Sequence, residues 1–346
     1  MILAGDIGGT NTRMAFFENV SGKLVLAIER DYVSRDHEGL DEIVSQFVSD
    51  VGVTVDAACF GVAGPVLGGR VSTPNLAWLV DAAALTTLVN NKTVWLINDL
   101  EAHAHSLAAL VPEDFMQLNP QATNVALSPN NAAALIAPGT GLGEAGLLWN
   151  GTRHVPFASE GGHADFAPRT ELEMEMLRYF LTKFKRVSYE RVLAGPGVVN
   201  VYNFLRDTHK EPEPDWLREE LSQAPDAARV ITNNALAGKA AICERVLEIF
   251  VTVLGAEAGN LALRFMATGG VFLGGGIPPK ILPRILDSGF MDAFLSKGRL
   301  SRMLEPIPVN VVMNGKSGLI GAARCALLNS ESDRNTPKSQ VAQTIH

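Results

Sequence analysis

Short runs of apolar residues at the start of the chain predict three consecutive β-strands. ILAGDI has the composition of a buried strand, a glycine turn follows it, and RMAFFE predicts a second strand. A third strand is predicted at residues 23–33. The chain therefore begins with a β-hairpin and not with a βαβ unit.

The apolar spacing then changes to that of α-helices. Residues 39–51 carry apolar positions at helical intervals, and Asp81 is placed to cap a helix over AAALTTLV. TVWLIND predicts a buried strand that runs directly into the helix EAHAHSLAAL. Further helices are predicted at 171–184 and along the run 233–265, and GGVFLGGGI predicts a short strand that ends in glycines.

The opening pattern of strand, glycine turn and two strands recurs near residue 132, in AAALIAP, GTGLG, EAGLLWN and TRHVPFAS. Such a duplication predicts two related lobes, each giving one phosphate-binding hairpin to a shared central cleft. We predict a small α/β domain of residues 1–108 and 315–329 and a large α/β domain of residues 109–314. The polar residues 330–346 predict a mobile tail.

Bulk composition narrows the functional classes. The 346 residues suggest two domains, and 47% hydrophobic with 19% charged residues is the ordinary globular range. A net charge of -8 argues against nucleic-acid or acidic-membrane binding. Cys59, Cys243 and Cys325 are too widely spaced to predict a disulfide framework or a zinc cluster. Without a secretory pattern or about 18 uninterrupted apolar residues, a cytoplasmic location is predicted.

The first candidate site is DIGGTNTR, at residues 6–13. Glycines let backbone amides approach phosphate oxygens and form an anion-binding nest, and a carboxylate at the strand end suits Mg²⁺ held through water. The alternative is that the two glycines only form a tight hairpin. We predict ATP contacts at Asp6, Ile7, Gly8, Gly9, Thr10, Asn11 and Arg13, with Asp6 also holding Mg²⁺.

Two further glycine clusters follow, at 137–143 and 269–277. GLGEAG matches the dinucleotide-binding G-x-G-x-x-G, but that fingerprint must open a helix, whereas LLWNGTRHV continues as a strand. The third cluster ends a strand with three glycines, against which adenine or ribose could lie; a crowded turn is the alternative. ATP contacts are predicted at Gly139, Thr140, Gly141, Gly143, Gly274, Gly275 and Gly276.

Polar groups between and after these loops are candidates for chemistry. Asp99 follows a buried strand, where a carboxylate is well placed for catalysis, and the Asn98 amide could orient a hydroxyl. For Asp99, capping the next helix is the alternative. Glu160, His163 and Glu190 can bond to sugar hydroxyls, although each alone is more often a surface residue.

Two other histidines, His103 and His105, lie in a predicted helix without similar neighbours in the sequence. We predict that both are solvated or capping residues.

Together these segments resemble the bacterial glucokinase family, in the hexokinase-type branch of the actin/heat-shock-70/sugar-kinase ATPases, over residues 1–328. DIGGTNTR and APGTGLG are similar to its phosphate motifs, LINDLEA to its catalytic segment, SEGGH and YERVLAGPG to its glucose-binding segments, and GGVFLGGGI to its adenosine motif. The resemblance implies a two-lobed, actin-like (ribonuclease H-like) α/β fold, ATP-dependent phosphorylation of the glucose 6-hydroxyl, Asp99 as the base, and a homodimer. It implies sugar contacts at Asn75, Asn98, Asp99, Glu160, His163 and Glu190.

Other functions remain as alternatives. An actin-like or chaperone-like ATPase would need the nucleotide loops but not the sugar-facing set, and a sugar sensor would not need Asp6 and Asp99. A kinase for another hexose differs only in pocket shape. The ROK family has a similar sugar segment followed by a cysteine-rich zinc site, whereas here the next cysteine after His163 is Cys243, so no structural zinc is expected.

Overall fold

The computed structural model describes residues 1–73, 76–89, 93–122 and 127–335. The chain divides into two compact units, Met1–Leu110 with Gly315–His346, and Val111–Asn314.

The strands of the described residues form two large sheets and one two-stranded sheet. They are β1 (Ile2–Ile7), β2 (Asn11–Val20), β3 (Lys23–Val33), β4 (Ala57–Val62), β5 (Arg70–Ser72), β6 (Leu79–Asp81), β7 (Val94–Asn98), β8 (Phe115–Gln117), β9 (Ala133–Pro138), β10 (Leu142–Trp149), β11 (His154–Ser159), β12 (Val271–Leu273) and β13 (Val309–Val312).

The α-helices of the described residues are distributed over both units. They are α1 (Leu40–Val51), α2 (Ala82–Leu88), α3 (Asp99–Ser106), α4 (Glu171–Leu181), α5 (Gly195–Asp207), α6 (Asp215–Gln223), α7 (Ala227–Leu236), α8 (Ala241–Phe265), α9 (Leu282–Asp287), α10 (Phe290–Leu295), α11 (Ser301–Leu304) and α12 (Ser317–Asn335).

The sheet of the first unit has the order β3-β2-β1-β4-β7. β1, β2 and β3 are antiparallel neighbours, whereas β1, β4 and β7 run parallel. Ile7 is in register with Val62, and Val62 with Asn98. The carboxyl ends of β1 and β7 therefore meet at one edge of the sheet, where ligands of open parallel sheets bind.

The sheet of the second unit has the order β11-β10-β9-β12-β13-β8. Its first five strands repeat the arrangement of the first unit, because β9, β10 and β11 are antiparallel neighbours and β9, β12 and β13 are parallel. β8 adds an antiparallel edge. The predicted α/β fold with a duplicated, hairpin-containing unit is confirmed.

Helices cover these sheets with apolar faces. In the first unit, α1 packs Phe47 against Phe16 of β2, with the ring centroids 5.0 Å apart, and α12 covers the other face. In the second unit the core surrounds α8. By length and composition α8 could cross a membrane, but 78% of its apolar window is buried inside the protein, as expected for a core helix.

Several predicted helix boundaries differ from the structure. The prediction of one helical run over 233–265 is wrong, because α7 ends at Leu236 and α8 begins at Ala241. Gly238 lies between them with a φ of 64°, a left-handed conformation that ends helices and that glycine adopts most easily. At the carboxyl end, α12 continues to Asn335, into the segment predicted as a tail, and residues 336–346 lie outside the described residues.

We predict that Gly321→Ala destabilises the first unit. A Cβ at residue 321 would lie 1.6 Å from the carbonyl oxygen of Ala102 in α3, so α12 would have to move away. Overpacking of this kind typically costs about 1–3 kcal/mol, which should lower the urea midpoint of unfolding. Gly315→Ala is the matched control, since no atom lies within 4 Å of its Cβ position. Equal losses in both variants would contradict the close-packing explanation.

Candidate active site

The first glycine loop, between β1 and β2, is held in place by a buried serine. The Gly8 amide donates to the Asn11 carbonyl oxygen at 3.0 Å, which closes the turn. Ser34 donates its amide to the Thr10 carbonyl oxygen at 3.0 Å and its hydroxyl to the Gly8 carbonyl oxygen at 2.8 Å. Thr12 Oγ1 lies 3.0 Å from Ser34 Oγ, and both residues are buried. Sequence reasoning missed Ser34 because it is distant in sequence and belongs to no glycine motif.

Two predicted nucleotide-site residues flank this loop. The Asp6 carboxylate lies against the first turn of α12, where a Cβ at Gly318 would be 2.7 Å from Oδ2, and it forms no hydrogen bond or ion pair among the described residues. The Arg13 guanidinium donates to the Gly315 carbonyl oxygen at 2.8 Å and lies 3.4 Å from Asp31 Oδ1. Asp6 therefore has the more available side chain for a ligand.

Asn98 caps the helix that follows β7. Its Oδ1 accepts a hydrogen bond from the Leu100 amide at 2.9 Å, while its Nδ2 donates to the Gly64 carbonyl oxygen at 3.0 Å. Asp99 is the first residue of α3 and also accepts from the Leu100 amide, at 2.9 Å. The N-cap role considered for Asp99 thus belongs to Asn98.

Asp99 lies in an environment that disfavours its charge. Burial raises the pKa of its carboxyl, and the negative charge of Asp6 adds to this effect, whereas His103 and the Leu100 amide oppose it. His103, which was predicted to be a solvated or capping residue, is half-buried, and its Nδ1 lies 2.8 Å from Ser317 Oγ at the start of α12. The tertiary contact with α12 carries no signal in the local sequence.

The second glycine loop joins β9 to β10. The Gly139 amide donates to the Gly141 carbonyl oxygen at 2.8 Å, and the Gly195 amide at the start of α5 donates to the Gly139 carbonyl oxygen at 2.9 Å. No atom lies within 4 Å of a Cβ position at Gly139, and Thr140 is exposed. The loop is fixed from behind and leaves one side open to a ligand.

The third glycine cluster lies beside the second loop because β12 and β9 are parallel neighbours. The Gly274 amide donates to the Ile136 carbonyl oxygen at 2.9 Å. Gly275 has a φ of 79°, and a Cβ there would be 2.6 Å from the Pro138 carbonyl oxygen, whereas no atom lies within 4 Å of the Cβ position at Gly276. The structure thus brings together the two predicted nucleotide loops of the second unit.

Both predicted sugar segments of this unit meet the backbone of Leu142. Glu190 Oε2 accepts a hydrogen bond from the Leu142 amide at 3.0 Å. A Cβ at Gly162 would lie 2.0 Å from the Leu142 carbonyl oxygen, so only glycine permits this approach. Segments 159–163 and 189–191 therefore lie next to the second glycine loop.

Glu160 and His163 are the exposed members of the predicted sugar set. Their side chains are 82% and 54% exposed, and Glu160 Oε2 lies 3.9 Å from His163 Nε2. Together they present a carboxylate and an imidazole on the solvent side of one turn. Asn75, the other loop residue of the set, lies outside the described residues.

Comparison with known proteins gives a consistent result. The sequence profile described as Glucokinase matches residues 3–329. A curated glucokinase of Nostoc punctiforme is 39% identical over 343 residues, covering 94% of this chain and 98% of that protein. A glucokinase of Yersinia enterocolitica is 35% identical over 320 residues, with coverages of 92% and 94%.

Solved structures agree in fold. A crystal structure of glucokinase from an Antarctic psychrotroph is similar with a TM-score of 0.81 and 31% identity, covering 94% of this chain and 98% of that one. A ROK family glucokinase from Streptomyces griseus in complex with glucose and AMPPNP is similar with a TM-score of 0.63 and 20% identity, covering 94% and 99%. At that identity the second likeness supports the fold alone.

We predict that Glu190→Ala loosens the second glycine loop. It removes the acceptor of the Leu142 amide, and a hydrogen bond to a charged group contributes about 1.5–3 kcal/mol. Hydrogen exchange measured by mass spectrometry should therefore be faster in peptides that contain Leu142. Glu171→Ala, at a side chain 70% exposed on α4, is the control and should leave these peptides unchanged. Unchanged exchange in Glu190→Ala would show that this carboxylate does not hold the loop.

Proposed function

The chain belongs to the glucokinase family, and we propose that it transfers the γ-phosphoryl group of ATP to the 6-hydroxyl of glucose with Asp99 as the general base. The products are glucose 6-phosphate and ADP. One observation carries the assignment of the base. Asp99 follows β7 at the edge where the parallel strands of the first unit end, and burial raises the pKa of its carboxyl. A more basic carboxylate accepts a hydroxyl proton more readily.

In the proposed reaction Asp99 accepts the proton of the 6-hydroxyl as that oxygen forms a bond to the γ-phosphorus. The bond from the γ-phosphorus to its bridging oxygen breaks, and ADP leaves with the bonding electron pair. Backbone amides of the glycine loops would stabilise the negative charge of the transferring group. Closure of a cleft on glucose would exclude water, which is otherwise a competing nucleophile.

Support for the nucleotide site comes from the open faces of its loops. Gly139 and Gly276 have free space at their Cβ positions, which leaves room for phosphate, ribose or base. Asp6 would hold Mg²⁺ together with water, since its carboxylate has no protein partner among the described residues and carboxylate oxygens are the ligands that this ion prefers. When bound, Mg²⁺ neutralises charge on the phosphates.

The sugar site is proposed to include Asn75, Asn98, Asp99, Glu160, His163 and Glu190. Glu160 and His163 are adjacent and exposed, so their polar atoms are available to neighbouring hydroxyls. In Glu190 one carboxylate oxygen is used by the Leu142 amide and the other remains for a ligand.

We also propose a cytoplasmic homodimer, as the family resemblance implies. The apolar helix α8 is mostly buried inside its own unit, which is typical of a core helix and not of a membrane span.

We predict that Asp99→Asn lowers kcat by about 10² to 10⁴-fold, the usual effect of losing a general base. Glucose binding should stay within a few-fold of wild type, because the amide has the same size. Since protonated Asp99 cannot act as a base, wild-type kcat/KM should fall as the pH drops through its raised pKa, and the residual activity of Asp99→Asn should lack this acidic limb. A coupled assay of ADP release measures kcat and the pH dependence of kcat/KM. Near-normal turnover in Asp99→Asn would refute the assignment.

We predict that Glu160→Ala raises the KM for glucose by more than about tenfold, because polar sites discriminate strongly on matched hydroxyls, and also lowers kcat. The KM for ATP should stay nearly unchanged. Glu190→Ala should instead raise both KM values, since its carboxylate also holds the Leu142 amide beside the second glycine loop. A hexose panel in the same assay measures specificity. Loss of ATP affinity alone in Glu160→Ala would assign Glu160 to the nucleotide site.

A further inference from the structure

Glu144 is a buried carboxyl group beneath the turn that carries Glu160 and His163. It is 1% exposed, and neither of its carboxyl oxygens has a hydrogen-bond partner among the described residues. A buried, ionised carboxylate without a partner is costly, so the uncharged acid is the favoured form. Glu144 is also the acidic residue of GLGEAG, a segment whose first two glycines are predicted nucleotide contacts and whose glutamate has no assigned role.

The carboxyl group occupies the space directly under Gly161. Glu144 lies on β10, opposite Ile136 of β9 and Ser159 of β11. A Cβ at residue 161 would lie 2.0 Å from Glu144 Oε2, so the turn can rest on this side chain only because residue 161 is glycine. The turn is also held by the Gly161 amide, which donates to Ser159 Oγ at 2.9 Å. Glu144 therefore supports the turn from the core side.

The charges near Glu144 come from α8. Burial raises the pKa of Glu144 to about 8, the negative charge of Glu257 adds to this effect, and Arg264 opposes it. Glu257 is itself fully buried, with Oε1 2.6 Å from Arg264 Nη1. The neighbours of Glu144 on β9 and β11, Ile136 and Ser159, are uncharged, and the titratable side chains of the turn, Glu160 and His163, face solvent.

The same buried network reaches the second sugar segment. Asn260 Nδ2 donates to Glu257 Oε2 at 2.8 Å and lies 3.3 Å from the hydroxyl of Tyr189, the residue before Glu190. A second negative charge beside Glu257 would therefore disturb groups that support both sugar segments.

We propose that Glu144 is a positioning residue for glucose binding, whose uncharged carboxyl supports the turn at Gly161 and whose ionisation displaces that turn and weakens the binding of glucose. The proposal rests on the proposed function of Glu160 and His163.

The first test is the pH dependence of glucose binding, measured by calorimetry without nucleotide and by the KM for glucose. If only the uncharged form binds well, the Kd of the wild type should rise by up to about tenfold per pH unit above pH 8. Glu144→Gln, which cannot ionise, should bind as wild type does at pH 7 and show no such rise. The KM for ATP should not follow this profile. Glu171→Gln, at an exposed position, should behave as wild type. The same rise in Glu144→Gln, or no rise in wild type, would overturn the proposal.

The second test is thermal stability without glucose, which does not depend on the proposed function. The folded pKa of Glu144 lies above its ordinary value of 4.5, so the unfolded chain releases this proton at lower pH. Between about pH 5 and pH 8, ionisation of Glu144 in the unfolded chain therefore favours unfolding. The Tm of Glu144→Gln should exceed that of wild type by a margin that grows from about pH 5 to pH 8 and is constant above it. A margin independent of pH would show that Glu144 does not titrate in this range and would overturn the proposal.

The third test uses the two glycines of the turn. Gly161→Ala should weaken glucose binding at least tenfold, and Glu144→Ala in the same chain should restore part of it, because the nearest obstruction is the Glu144 side chain. Gly162→Ala is the matched control, since its obstruction is the Leu142 backbone, and Glu144→Ala should not rescue it. Rescue of neither variant would overturn the support role.

If Glu160→Ala left glucose kinetics intact while the stability margin still varied with pH, the sugar-site assignment would fail and the titration of Glu144 would stand.

Discussion

The backbone of Leu142 is the constraint on which the candidate site of the second unit depends. Its amide donates to Glu190 and its carbonyl oxygen lies against Gly162, so one peptide segment fixes two segments that are distant in sequence. Because Leu142 follows directly after the second glycine loop, any shift of that loop would move the proposed sugar-binding residues as well. The proposed nucleotide and sugar sites in this unit therefore share one backbone segment, which favours precise placement of their groups.

The two units use the same strand arrangement but hold their glycine loops differently. In the first unit the hydroxyl and amide of Ser34 fix the loop at Gly8 and Thr10. In the second unit the Gly195 amide at the start of α5 does so. The duplicated feature is thus the position of a glycine turn at the carboxyl end of a strand. The supporting groups come from different places, the residue directly after β3 in the first unit and the start of α5 in the second.

Burial raises the pKa of the Asp99 and Glu144 carboxyl groups with different consequences. Asp99 is partly buried at the edge of its sheet, near Asp6 and His103, where a more basic carboxylate can still reach a substrate. Glu144 is enclosed by β9, β11 and α8 and has no partner for a charge among the described residues. The first environment suits proton transfer, whereas the second suits a neutral group that supports the structure.

The sequence by itself determined the local elements and the motifs. Alternating and clustered apolar residues predicted β1 to β3 and their repetition as β9 to β11. Asp81 was identified as the cap of α2, and its carboxylate accepts a hydrogen bond from the Ala83 amide. Two local features, the Asn98 cap of α3 and the helix stop at Gly238 between α7 and α8, also lie within a short window of sequence, although neither was predicted. Tertiary structure decided that Ser34, His103 and Glu144 support the candidate sites. Periodicity and capping arise from neighbouring residues and can be found in a short window of sequence. The partners of Ser34, His103 and Glu144 come from other elements, so their roles exist only once the chain has folded.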